Sequence, residues 1–341
     1  MSSNDSDSNR GKTKLQKGKV WILFGIMFVY ILIAGAFITG VELGLITKSL
    51  PIIRDEERSD NTTDAPKQSI IDNLQAAQSF VDKNLRKENG HIDLYIQANN
   101  TKKLIDNNTN SEAISYYLLW KAREGDKESF DRELKFVKQY MLEPQHGYLM
   151  WRLTPEGKAE GDGSNIATDA DLRAIKALLI AEEKWGDPEY TELIDKLAKG
   201  LERLGITRDG YLAPYGGVSG ATSVWVADEV WLSYSDFRVF RELSERRGAP
   251  WNTMYEKMKQ ATLEAQLENG QYNSMLTKKR EYGNGIDGGG YSINSMWIMV
   301  RSAESKDPQL MESARKSLQF YKNKYQIDNE LYAQYDSSGN P

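Results

Sequence analysis

Hydrophobic and polar positions divide the chain into four stretches. Residues 1–19 are polar, with Ser, Asn and Asp first and then Arg10, Lys12, Lys14, Lys17 and Lys19; they form a basic tail. Residues 20–41 carry no charge, and an apolar stretch of that length crosses a hydrocarbon core as a helix, so 20–47 is predicted to be a transmembrane anchor. The basic cluster precedes the anchor and Glu42 follows it, which puts the N-terminus in the cytoplasm and the rest of the chain outside the cell. A cleaved signal peptide is the competing reading, because Ala34-Gly35-Ala36 resembles a small-residue cleavage site. The apolar run continues past that site, which favours an uncleaved anchor. Residues 48–66 mix charges with Pro66 and show no apolar period, as a tether does.

From residue 67 to the end the pattern is helix after helix. Ile70, Leu74, Ala77, Phe80 and Val81 recur at helical spacing, as do Phe130, Leu134, Val137 and Tyr140. Similar runs follow from Leu172 to Trp185 and onward to Tyr325, and few alternating β-branched stretches interrupt them. About ten to twelve helices and an all-α domain over 67–341 are expected. Gly-rich aromatic loops lie between them, such as His146-Gly147-Tyr148-Leu149-Met150-Trp151 and the segment from Tyr282 to Tyr291. Short turns on one side and long loops on the other suggest helical hairpins with their loops around a groove. The pattern shows no strict repeat.

The helix predicted after Ala167 starts with Thr168 as N-cap and Asp169 and Asp171 in its first turn. Two acids there have an ordinary explanation, because they complement the helix dipole and cap free N–H groups. The alternative is a carboxylate aimed into a cleft.

Composition narrows the choice. The chain of 341 residues has no cysteine and two histidines, which excludes disulfides and thiolate chemistry and leaves no basis for a multi-histidine metal centre. A net charge of −5 without a Lys/Arg stripe beyond the N-terminus argues against a nucleic-acid partner. Eight Trp and eighteen Tyr suit a protein that stacks flat faces against a ligand, although many such rings serve as ordinary core.

Ala167-Thr168-Asp169-Ala170-Asp171, with Leu178-Leu179-Ile180-Ala181 and Trp185, resembles the signature of glycoside hydrolase family 8. Asn110-Ser111-Glu112-Ala113-Ile114-Ser115-Tyr116-Tyr117 resembles the family's earlier Ser-Glu-Gly-x-Ser-Tyr-Gly-Met segment. Gly125-Asp126, Phe130-Asp131, Leu149-Met150-Trp151-Arg152, Ser233-Tyr234 with Phe237-Arg238, Trp251 and the ending Tyr335 to Asn340 extend the match from about residue 70 to the C-terminus. The resemblance implies an (α/α)6 barrel whose loops form a substrate groove, and an inverting reaction that needs no metal or cofactor.

In that reaction one carboxylic acid protonates the leaving oxygen and a second carboxylate activates water across the sugar. By the resemblance, Glu112 is the general acid, Asp169 binds the sugar at the cleavage site, and Asp171 is a second substrate-binding or structural residue. Read in isolation, Glu112 is an ordinary residue at a helix start. The family's Asp-Ala-x-Arg segment corresponds here to Ser292-Ile293-Asn294-Ser295, which has neither the Asp nor the Arg. Asp287, in the Gly-rich loop upstream, is the nearest candidate base; as an Asp between glycines it also fits a plain turn. Asp236 and Asp228 are weaker candidates. Trp151, Tyr215, Tyr234 and Tyr116 are expected to be sugar platforms, whereas Trp185, Trp231 and Trp297 fall in apolar runs and read as core.

These readings converge on a membrane-anchored extracellular endo-glycoside hydrolase that cuts a β-1,4-linked polysaccharide. A tethered enzyme works at its own cell surface, which points to exopolysaccharide or bacterial cellulose processing beside a synthase complex. The alternative is a catalytically retired polysaccharide-binding protein, as the missing Asp-Ala-x-Arg segment permits.

Overall fold

A computed structural model describes residues 73, 75–99, 102–220, 223–283 and 290–341. The expected tail, anchor and tether, and the candidate base Asp287, lie outside the described residues. No helix among those described is long and apolar enough to cross a membrane. The chain divides into two compact units, Met1–Lys83 and Asn84–Pro341. Of the first, residues 75–80 are helical; the helical hairpins and the candidate site belong to the second.

The second unit is mostly helical. Among the described residues its eight α-helices are α1 (Ser111–Glu124), α2 (Lys127–Phe136), α3 (Thr168–Trp185), α4 (Pro188–Leu204), α5 (Phe237–Arg247), α6 (Trp251–Glu264), α7 (Ser292–Ala303) and α8 (Pro308–Asp328). They form four consecutive hairpins. The first helices of the hairpins pack in the order α1, α3, α5, α7, and each is backed by its own partner, α2, α4, α6 or α8. An inner row therefore sits inside an outer row.

The turns within the hairpins follow from local chemistry. Gly125 and Gly186 take left-handed backbone at the ends of α1 and α3, where a Cβ would be strained. Asp126 and Asp187 come next and cap the following helices, accepting from Ser129 N and Glu189 N. Asp307 caps α8 in the same way, accepting from Gln309 N and Leu310 N.

The return from each outer helix reuses one tight turn. Glu143 N donates to Tyr148 O and Gly147 N to Glu143 O after α2. A turn of the same kind, one residue shorter, recurs at Thr207–Tyr211 after α4, at Leu267–Gln271 after α6 and at Asp336–Asn340 after α8. This is a structural repeat in a chain without a strict sequence repeat. Gly147 is required twice over: its φ is +78°, and a Cβ there would lie 2.7 Å from Lys196 O on α4.

Among the described residues twelve short strands, all paired antiparallel, tie the long loops together. Hairpin β1 (Tyr95–Asn99) and β2 (Lys102–Asp106) stands by itself, and β3 (Thr109–Asn110) pairs with β4 (Arg152–Leu153). β5 (Ile166–Ala167), β6 (Tyr215–Ser219) and β7 (Ser223–Val226) form one sheet. β8 (Val230–Trp231), β9 (Met275–Leu276) and β10 (Tyr282–Gly283) form another, and β11 (Gly290–Tyr291) pairs with β12 (Gln334–Tyr335). β3, β5 and β11 run directly into α1, α3 and α7, and β8 reaches α5 through the short 3-10 turn Leu232–Tyr234. The strands thus hold the N-terminal ends of the inner helices, where free N–H groups and the positive end of each dipole favour carboxylates.

α3 is the central element: Thr168 and every residue from Ala170 to Ala181 are buried. A helix buried on all sides is expected to be apolar, yet this one places Asp171, Arg173 and Lys176 in the interior. Those three charges set the polar interior of the unit.

Candidate active site

Glu112 and Asp169 are each the second residue of an inner helix, α1 and α3. Asn110 caps α1 by accepting from Ala113 N at 2.8 Å. Thr168, read from the sequence as the N-cap of α3, does not cap it. It is the first helical residue, Ala167 occupies the cap, and the Thr168 hydroxyl donates to Ala213 O at 2.6 Å. It ties α3 to the loop ahead of β6, because that loop offers an otherwise buried carbonyl.

Trp151 links the two helix starts. Its N–H donates to Asn165 O and its carbonyl accepts from Ser111 N, so its backbone runs between the segments entering α1 and α3. Its indole Nε1 donates to Glu112 Oε1 at 3.1 Å. Burial, and next the charge of Asp169, push the Glu112 carboxyl up from 4.5 to about 7; its own backbone N–H, Arg173 and Trp151 oppose that rise only in part. A carboxyl with that affinity holds a proton near neutrality and can deliver it to a leaving oxygen.

Asp169 Oδ2 accepts from Arg173 Nη2 at 2.6 Å. Glu112 Oε2 and Asp169 Oδ1 are both buried and have no protein partner. Buried polar atoms are nearly always satisfied, so two open oxygens on neighbouring carboxyls can accept from a polar ligand; other buried side-chain atoms, Asp171 Oδ2 among them, make no hydrogen bond either. Tyr234, from the turn ahead of α5, faces the same pair: burial raises its hydroxyl above the usual range, and the charges of Asp169 and Glu112 add to that rise.

Asp171, expected as a second substrate-binding acid, is fully buried and accepts from Leu149 N at 3.0 Å. It fastens the strand leading to Trp151, the structural role that the sequence reading held open beside substrate binding, and its place in the helix turns it into the core. Burial lifts its carboxyl well above the ordinary range. Asp236, one alternative base, caps α5 through Val239 N and is enclosed by Lys176 at 3.0 Å and Arg301 at 2.9 Å. It is paired and interior, unlike a base that must reach water. Asp228, the other, is exposed, and its carbonyl accepts from Arg280.

The aromatic residues sort differently from the sequence expectation. Tyr116 packs 5.9 Å from Trp297 at 32°, and Trp297 is half-buried instead of core. Trp231 is likewise half-buried, in β8, and contacts Tyr234 at 5.2 Å and Tyr215 at 6.0 Å. Tyr215 continues to Trp225, 6.1 Å away on β7 and 38% exposed. A row of rings therefore runs from Tyr234, beside the carboxyl pair, to the surface. Tyr215 donates its hydroxyl to Glu229, and that bond and then burial raise it to about 12. Trp185 packs against Phe130 and Tyr190. Trp185, Trp231 and Trp297 are all half-buried, because apolar spacing does not tell a fully buried ring from one at the edge of the core.

Among the described residues no group of three or more His, Asp or Glu side chains is arranged to hold a metal ion. Sequence reasoning missed Arg173 as a site residue. The available signal was an arginine one helical turn after Asp169 within an otherwise apolar run.

The family model for glycosyl hydrolases family 8 matches residues 87–279, and no curated protein matches the chain. Among solved structures, an alpha-amylase from Clostridium perfringens is similar with a TM-score of 0.66 and 21% identity, covering 77% of this chain and 74% of that one. PssZ from Listeria monocytogenes gives 0.58 and 16%, covering 78% and 76%. The endoglucanase Cel10 of Klebsiella pneumoniae, a family 8 glycosyl hydrolase, gives 0.56 and 18%, covering 72% and 79%. At these identities the structures speak for the fold, and the family match covers more than half of the chain. With helical hairpins, a half-buried acid at a helix start and the family signature in one chain, the protein belongs to glycoside hydrolase family 8 and is an O-glycoside hydrolase.

Proposed function

We propose that this protein is an inverting endo-glycosidase of β-1,4-linked polysaccharides, held at the outer face of the cell membrane by residues 20–47, on a helical toroid of the (α/α)6 type to which α1–α8 contribute four hairpins. The observation that carries the chemical reading is the pair of unsatisfied buried oxygens, Glu112 Oε2 and Asp169 Oδ1. A proton donor and a hydroxyl acceptor on adjacent helix starts match the needs of a glycosidic oxygen and its sugar ring. Glu112 protonates the leaving oxygen, Asp169 holds the sugar at the cleavage point, and Trp151, Tyr116, Tyr234 and Tyr215 offer flat faces or hydroxyls to neighbouring sugars.

Asp287 is proposed as the base, since Asp236 is locked in ion pairs and Asp228 lies exposed against Arg280. It should stand roughly 6.5–9.5 Å from Glu112, the inverting separation. The β-1,4 linkage is supported by the endo-β-1,4-glucanase from Acetobacter xylinum, 17% identical with a TM-score of 0.57. The alpha-amylase among the similar structures makes an α-glucan the reading to exclude. The uncharged stretch 20–41 behind a basic tail supports the anchor and, through it, a role in exopolysaccharide or cellulose processing next to a synthase.

Reducing-end release by the purified full chain from cellulose, xylan, chitosan, native exopolymer and amylose tests the substrate. Release from amylose alone defeats the β-1,4 reading. Proton NMR of the first product distinguishes inversion from retention, and Asp287→Asn with wild-type turnover removes Asp287 as base. Protease protection in intact cells tests the topology.

A further inference from the structure

Arg173 lies on α3 one turn beyond Asp169, with its side chain 3% exposed. One guanidinium makes three contacts at once. Nη2 donates to Asp169 Oδ2 at 2.6 Å, Nη1 donates to Ser115 Oγ at 3.0 Å, and Cζ lies 3.6 Å from the centroid of the Tyr116 ring. Ser115 Oγ donates in turn to Glu112 O at 3.1 Å. The contacts therefore run from Asp169 on α3, through Arg173, to the first two turns of α1, where Glu112 and Tyr116 sit.

We infer that Arg173 is the positioning residue of this glycosidase site, locking Asp169 and the Tyr116 ring to the turn of α1 that carries Glu112. The inference rests on the roles proposed above for Glu112 and Asp169. A planar fork with two outward N–H groups and a stacking face can make all three contacts; a lysine ammonium keeps the charge but neither the second donor in that plane nor the stack. Were Arg173 present only to neutralise a buried acid, Asp169 alone would need to be in reach, and the bond to Ser115 and the stack on Tyr116 would be incidental.

Charge gives the inference a second readout. The groups facing Glu112 are Asp169, Asp171 and Arg173 from α3, Trp151 from the loop ahead of β4, Tyr116 on its own helix and Tyr234 ahead of α5; Arg301 on α7 acts on Tyr116 from behind. Arg173 is the cation among those that touch the Asp169 carboxylate, and its charge lowers the proton affinity that Asp169 raises at Glu112. Neutralising it makes ionised Glu112 less favourable, so the acid keeps its proton to higher pH.

The experiment uses the full chain in detergent, on the polymer that the wild type cleaves, with E112Q, R173Q, R173K and S115A. Expected for R173Q are a fall in kcat of about 100-fold, larger than any change in KM, as for misplaced reacting groups, and an alkaline limb of the pH profile moved up by about one unit. R173K should keep the wild-type limb but lose about tenfold in kcat, the cost of one charged hydrogen bond. S115A, which leaves the charge and the stack in place, should lose a few-fold with no pH shift. If R173Q does not fold, R173K and S115A carry the test. An unmoved limb in R173Q, or wild-type kcat in R173K, overturns the positioning role while the proposed function stands. An active E112Q removes the proposed acid and the positioning role with it.

Discussion

Two buried charge clusters lie less than two helical turns apart on α3, and they are built in opposite ways. Around Lys176 the acids Asp236 and Glu304 are matched with Lys176 and Arg301 at 2.5–3.8 Å, and Arg123 reaches Glu304 from outside at 3.4 Å. Burial pushes Asp236 up, but the charges of Lys176 and Arg301 more than offset it, and its carboxyl ends at about 2. Around Arg173, in contrast, Glu112 and Asp169 each keep an unsatisfied oxygen, and burial with a like charge takes Glu112 to about 7. At similar depth the acids are fully partnered in one place and keep open oxygens in the other, although Arg301 Nε in the first also makes no hydrogen bond. Burial of charge is thus no sign of function by itself, and an open oxygen alone is not one either, since Asp171 Oδ2 is also buried without a hydrogen bond; at Glu112 and Asp169 the open oxygens belong to two neighbouring acids.

The largest effect expected from breaking this contrast is at the incomplete cluster. Glu112→Gln should cut turnover by about 10²–10⁴-fold, the usual contribution of a general acid, with no loss of melting temperature. Lys176→Met should do the reverse: leaving Asp236 and Glu304 with one fewer buried partner costs about 3–5 kcal/mol, seen as a large drop in melting temperature.

The pH dependence of stability should also split the two. Glu112 has a folded value of about 7 against an ordinary 4.5, so between those values the folded chain holds a proton that the unfolded chain has released. Its contribution is present at low pH and is lost as pH rises through 7, on the order of 3 kcal/mol. Asp236, at about 2 against 3.8, contributes above 3.8 and loses that contribution as pH falls towards 2, on the order of 2 kcal/mol. Urea unfolding between pH 5 and 8 should slope downward in the wild type and flatten in Glu112→Gln; an unchanged slope would mean that Glu112 is not the group titrating there. The smallest effect is expected at Asp171→Asn. Asp171 serves Leu149 N and burial lifts its carboxyl well above the ordinary range, so an amide of the same shape should cost under about 1.5 kcal/mol and leave turnover close to wild type. A large loss of turnover with intact folding would return Asp171 to the ligand.

Much of this was legible in the chain itself. Apolar spacing gives the helices, Gly125-Asp126 and Gly186-Asp187 give their turns, and the segments around Glu112 and Asp169 identify the family. What was not legible depends on which side of a helix faces what. Asp169 and Asp171 are two residues apart and look equivalent in sequence, yet about 200° of helical rotation pairs one with Arg173 and the other with Leu149 N. Trp185, Trp231 and Trp297 read as core because apolar spacing does not tell a fully buried ring from one at the edge of the core. Thr168 read as a cap because no local rule reveals that Ala213 O lies within reach.

The sequence by itself determined the helical periods, the turn chemistry and the reaction class, since these rest on interactions between near neighbours and on a contiguous signature. Only the tertiary structure decided that Arg173 joins Asp169 to Tyr116 and Ser115 across two helices, and that Asp236 is enclosed by Lys176 and Arg301 from two others. Proton affinity in the interior depends on what lies within a few ångströms in space, and those partners are here up to 65 residues away along the chain.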